Sequence, residues 1–167
     1  MELKQVLIAF LLAWAITFSP SFIFANNDVV YFSKWITQNF PQCDLKKEVL
    51  FLDSKMKEEY KIENSIVLRF SGLCEKQASS IYIQSRLVRT LNQTLALKIQ
   101  SGKIQDIKII NFMEPESYKP KAKWLSLFSN KNHNEIKSID AISGATLTRK
   151  SVVKIATDSL NINQYAH

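Results

Sequence analysis

The sequence predicts an α+β fold: a small antiparallel sheet covered by helices, with one long helix closing the chain. Three observations predict it. Residues 80–89 alternate, placing Ile81, Ile83, Ser85, Leu87 and Arg89 on one side and Tyr82, Gln84, Arg86 and Val88 on the other, a period of two. Gln93–Gln100 and Lys103–Phe112 are strand-like runs around Ser101-Gly102, and two such runs about a two-residue turn with glycine make a β-hairpin. Leu147–Leu160 brings Val152, Val153, Ala156 and Leu160 round at helical spacing.

The remaining elements follow in chain order. In 29–40, Val29, Val30, Phe32, Ile36 and Phe40 recur near helical spacing; Asn27 or Asp28 can cap this helix and Pro41 closes it. Residues 45–62 also read as helical, with Leu45, Val49, Leu52 and Met56 as the apolar stripe and charges opposite. Asp53-Ser54 weakens the middle and allows a break into two pieces. Ile66, Leu68 and Phe70 make 65–71 a strand. Pro115 and Pro120 bracket a loop leading into a short helix, 121–128. Residues 130–135 form a polar loop, and 136–139 are expected to be a short strand that delivers Asp140.

Length and composition bound the possibilities. A chain of 167 residues, 46% hydrophobic, suits one globular domain. The net charge of +7 favours acidic partners, but the lysines are scattered apart from Lys119, Lys121 and Lys123, which argues against nucleic acid. Met1–Lys4 carries an acid and a base, residues 5–18 are apolar, Ser19-Pro20-Ser21 interrupts, and Ala25 precedes Asn26-Asn27-Asp28. Residues 1–25 therefore read as a secretory signal peptide cut after Ala25, with Ser21 as the other site and an uncleaved anchor as the alternative. Cys43 and Cys74 are the two cysteines. An exported chain with an even count admits a Cys43–Cys74 disulfide, and two separate buried thiols are the alternative. The two histidines, His133 and His167, have no ligand spacing with the cysteines, so no metal is assigned.

The chemistry concentrates in Asp140-Ala141-Ile142-Ser143-Gly144-Ala145-Thr146. A helix start presents unpaired N–H groups and a positive dipole end, which suit phosphate. Gly144 permits a sharp turn and close approach. Ser143 can cap or donate, Ala145 leaves room above it, and Thr146 and Thr148 offer hydroxyls. Arg149 and Lys150 add positive charge. Asp140 fits only as a cap, a proton acceptor or a metal ligand during attachment. An ordinary cap and turn explains the same residues without a ligand.

This motif, followed by Leu147-Thr148-Arg149-Lys150-Ser151-Val152-Val153 and an amphipathic helix, resembles the signature of the FMN-binding domain family, which includes flavin-bearing subunits of the sodium-pumping NADH:quinone reductase and of the Rnf complex, and many small exported proteins. The resemblance covers roughly 95–160. It includes the hairpin before the site and the Glu114, Tyr118 and Trp124 segment. It implies that a flavin transferase, using FAD and magnesium, esterifies Thr146 to the phosphate of FMN. Beside the resemblance, the chemistry of a phosphate and a flat apolar ring makes Asp140, Ser143, Gly144, Ala145 and Thr148 candidate FMN contacts, with Tyr118 and Trp124 as stacking surfaces, Leu147 beneath the ring and Glu114 at the ring edge or ribityl chain. Core packing is the alternative for both aromatics, and a surface loop position for Glu114. Where many members are glycine-rich after the glutamate, this chain has Pro115-Glu116-Ser117-Tyr118-Lys119-Pro120. The expected organisation is a signal peptide (1–25), an N-terminal helical and strand region (26–90) and an FMN-binding core (91–162). The expected function is an exported electron carrier rather than a stand-alone enzyme, in the periplasm or on the outer face of the cytoplasmic membrane. It would exchange electrons with partner proteins, including a membrane electron-transfer complex. The alternatives are a non-redox module holding an unattached ligand, and a scaffold subunit of a membrane redox complex.

Overall fold

The computed structural model describes residues 26–139 and 145–166. The chain divides into two compact units, Met1–Asn39 and Phe40–His167. In the first, helix α1 spans Asn26–Asn39. Its range includes Asn27 and Asp28, the positions expected to precede it. Its last turns bond back on themselves, Thr37 Oγ1 to the Ser33 carbonyl (3.1 Å) and Asn39 Nδ2 to that of Trp35 (3.0 Å).

The second unit is built on a five-stranded antiparallel meander in which every strand pairs with its sequence neighbours: β1 (Cys43–Phe51), β2 (Ile66–Cys74), β3 (Gln77–Leu87), β4 (Asn92–Gln100) and β5 (Lys103–Phe112). The β4–β5 hairpin turns at Ser101 (φ 51°) and Gly102 (φ 71°). Two left-handed residues in a two-residue loop match the twist of the flanking strands. The register slips between Thr94 and Leu95 and between Lys98 and Ile99, the marks of bulges.

The first half of 45–62 is not a helix. Cys43–Phe51 pairs residue by residue with β2, from Cys43 opposite Cys74 to Phe51 opposite Ile66. A disulfide joins the first pair, whose Cα atoms are 4.0 Å apart. Leu45 and Val49 satisfy a period of four but also sit on a strand, and the ladder decides between the two. Helix α2 (Ser54–Tyr60) is the second piece. Asp53 caps it, accepting the Met56 N–H at 2.7 Å, so the weak point at Asp53-Ser54 is a helix start.

After β5 the chain makes a 3₁₀ turn at Glu116–Tyr118, helix α3 (Ala122–Leu125) and a 3₁₀ turn at Ser126–Phe128. The expected strand at 136–139 is instead a 3₁₀ turn, Glu135–Ser138. Asn132 Oδ1 accepts the N–H groups of Asn134 (2.9 Å) and Glu135 (3.2 Å), and Glu135 returns its carboxylate to the Asn132 N–H (2.9 Å). That reciprocal box starts a helical turn. Helix α4, Thr146–Tyr165, closes the chain.

The core lies between the sheet and α4. Tyr82, Leu95, Leu97, Ile99, Ile104, Phe128, Ile136, Val152 and Ile155 are all but fully buried in one cluster. Two polar pairs orient α4 on β3: Tyr82 donates to Asn163 Oδ1 (3.2 Å), and Gln84 donates to Ser159 Oγ (2.9 Å). Four residues down the helix thus correspond to two up the strand. The start of α4 therefore points to the β3–β4 turn. Among the described residues no helix is long and apolar enough to cross a membrane.

Candidate functional site: the start of the last helix

Helix α4 opens at Thr146, and among the described residues no side chain caps it. Thr146 is exposed, so its hydroxyl is accessible. Ala145 before it is buried, as expected of a small residue at a close approach. Asp140, Ser143 and Gly144 lie outside the described residues. The two ends of that segment are nevertheless tied together. Arg149 donates from Nε (2.9 Å) and its terminal nitrogen (2.6 Å) to the Ile139 carbonyl, and its backbone N–H donates to the Ala145 carbonyl (3.0 Å). The guanidinium that the sequence suggested for phosphate charge is thus anchored to the backbone just ahead of the motif.

Thr148 is buried and its hydroxyl donates to the Tyr118 carbonyl at 3.0 Å. It positions the 115–120 loop against α4. Tyr118 is half-buried; the Arg89 guanidinium stands over its ring, 5.6 Å from the centroid, a cation–π arrangement. Trp124 is half-buried and packs edge-on against Phe128, centroids 5.1 Å apart, within the core cluster.

Glu114 is neither a surface loop residue nor free to meet a ligand with both oxygens. It is buried, and Oε1 accepts three successive backbone N–H groups, from Arg89 (3.0 Å), Thr90 (2.7 Å) and Leu91 (2.9 Å). The Leu91 and Thr90 bonds, followed by that of Arg89, hold its carboxyl below the ordinary glutamate range, against the effect of burial. One carboxylate thereby fixes the β3–β4 turn. Thr148, Tyr118, Arg89 and Glu114 form one connected string beside the helix start. Leu91, Met113 and Leu147, beside residues of this string in the sequence, are exposed apolar side chains, of the kind that suits a flat apolar ligand.

Sequence reasoning missed three residues. Arg89 falls at a strand end, and nothing in the pattern marks it. Gln93 and Ser151 are buried polar side chains; the Gln93 carboxamide atoms and Ser151 Oγ have no hydrogen-bond partner. A glutamine on the inward side of an otherwise apolar strand is the signal that could have found the first. A cavity of about 840 Å³, lined by Ser71, Ser79, Ser80, Gly102 and Asn163 among others, opens toward the other end of α4 and includes none of the expected site residues.

The parts suit a flavin nucleotide: an exposed threonine at a helix start for the phosphate, and exposed apolar and half-buried aromatic side chains for the ring. No curated protein and no solved structure matches the chain. Residues 91–161, from the Glu114-held turn through most of α4, match the family model described as FMN-binding domain, the family that the motif resembles.

Proposed function

We propose that the protein is an exported electron carrier holding FMN through a phosphoester to Thr146 Oγ1. The FMN-binding domain match over 91–161 carries this reading, and the exposed position of Thr146 at the start of α4 supports it. Attachment replaces the hydroxyl proton with the flavin phosphoryl group. A flavin transferase delivers that group from FAD: the pyrophosphate bond breaks, AMP leaves, and the hydroxyl proton passes to solvent. Bound flavin would supply the electron chemistry; the protein supplies position and tuning. Arg149 holds the backbone just ahead of the motif, Thr148 and Glu114 hold the flanking loops, and Tyr118 and Leu147 offer wall. The Cys43–Cys74 disulfide accords with an oxidising compartment, hence with export and with residence in the periplasm or at the outer face of the membrane. Redox partner proteins, among them a membrane electron-transfer complex, are the expected partners.

The test expresses the full chain in a host with the transferase. A denatured gel band that fluoresces under ultraviolet light, and is dark in Thr146→Ala, is the expected result. A Thr146-containing peptide of unmodified mass, from protein matured beside the active transferase, would refute covalent attachment.

A further inference from the structure

Gln93 is fully buried, and neither its carboxamide oxygen nor its nitrogen has a partner. Buried amides ordinarily have partners, because desolvating one without them is costly. Ser151 repeats the anomaly on α4. A helical hydroxyl commonly bonds to the carbonyl four residues back, as Thr157 does to Val153 (2.9 Å); Ser151 Oγ, 3% exposed as a residue, bonds to nothing.

The fold places both toward the motif. The Tyr82–Asn163 and Gln84–Ser159 bonds match four helix residues to two strand residues. Continuing that match puts Arg86 level with Ile155, and β4 pairs Gln93 with Arg86. Gln93 thus stands about 14 Å of helix from Thr146, and Ser151 about 7 Å, at 1.5 Å per residue. A nucleotide extended from the Thr146 hydroxyl covers that span.

We propose that the Gln93 carboxamide binds the polar edge of the flavin ring, with the Ser151 hydroxyl as a second donor; this rests on the flavin reading above. The pyrimidine edge of that ring presents an N–H flanked by two carbonyls. A carboxamide offers one acceptor and two donors. Oε1 accepts the ring N–H, and Nε2 donates to a flanking carbonyl. Donation there stabilises the electron-rich reduced ring, so it raises the midpoint potential.

The test uses the wild type, Gln93→Met and Ser151→Ala, each matured with the transferase, with the mass of the Thr146 peptide reporting loading. In Gln93→Met the flavin's midpoint potential falls and its long-wavelength absorption band shifts. Ser151→Ala shifts the potential in the same direction by less. Flavin-free Gln93→Met melts no lower than flavin-free wild type, because the substitution removes an unpaired amide. Loaded Gln93→Met with the wild-type potential and spectrum overturns the assignment and leaves the proposed function standing. A flavin-free Gln93→Met that melts lower also counts against it, since the amide would then serve the core alone. A wild type that emerges without flavin fails the function itself, and this assignment with it.

Discussion

Gly72 shows how much one missing Cβ decides. It sits in β2 opposite Leu45, and a Cβ there would fall 2.1 Å from the Asp44 carbonyl oxygen. The obstacle is backbone, so no rotamer change relieves it. Gly72→Ala should therefore destabilise the protein by about 1–3 kcal/mol, the usual cost of overpacking, read as a lower urea midpoint at unchanged slope. A wild-type midpoint would mean that β1 and β2 part easily there. A glycine inside a strand pattern signals a close approach of this kind. Glu114 carries no such signal. Its partners are backbone N–H groups of residues 89–91, which every sequence possesses, so the residue reads only as a charge near a proline. Thr146 and Thr148 differ in the same way. The motif marks both as hydroxyls, but only the three-dimensional contact with the Tyr118 carbonyl separates the buried positioning residue from the accessible one.

Elements were legible in proportion to how far local chemistry alone specifies them. The β4–β5 hairpin needs two left-handed residues at one place, and Ser101-Gly102 provides them. Helix α4 repeats its apolar positions long enough to leave no other period. Strand β1 lacked such a signature. It is an edge strand with one neighbour, its charged residues fall at positions compatible with either period, and its identity comes from a partner some twenty residues later. The disulfide adds to that pairing at its end, where Cys43 faces Cys74. The crosslink spans a sequence separation of 31 residues, so loop-closure entropy makes its removal worth on the order of 3–4 kcal/mol. Cys43→Ser with Cys74→Ser should lower the thermal midpoint accordingly. The amides of β1 should lose hydrogen-exchange protection before those of β3 and β4, which have neighbours on both sides. Equal loss across all five strands would show that the crosslink constrains the unfolded chain alone, without holding the edge.

Across the whole molecule, α4 joins two ends with different work. Its start carries the motif, while its second half buries polar side chains that the sequence does not distinguish from a wet face: Asn163 and Ser159, bonded to β3, and Asp158. Asp158 pairs with Lys154, whose ammonium also donates to the Lys61 carbonyl (2.8 Å) at the end of α2. Burial pushes the Asp158 carboxyl above the usual aspartate range and outweighs the pull of Lys154. Glu114, at the other end, is shifted the opposite way by its three backbone N–H bonds. The two groups therefore give stability opposite slopes in pH. Glu114 binds its proton more weakly folded than unfolded, so its contribution is present above about pH 4.3, the unperturbed value, and is lost as the pH falls through its depressed pKa. Asp158 binds its proton more tightly folded, so its contribution is present below about pH 3.9 and is lost as the pH rises through its raised pKa. Urea midpoints measured across the acid range should then separate the two. Glu114→Gln keeps an acceptor for the turn and should flatten the acid limb, leaving the fall toward neutrality. Asp158→Asn should abolish that fall and leave the acid limb intact. Parallel profiles for Asp158→Asn and wild type would mean that Lys154 holds the carboxylate ionised throughout, and that the inner half of α4 tolerates a charge pair where the fold otherwise places neutral hydrogen bonds.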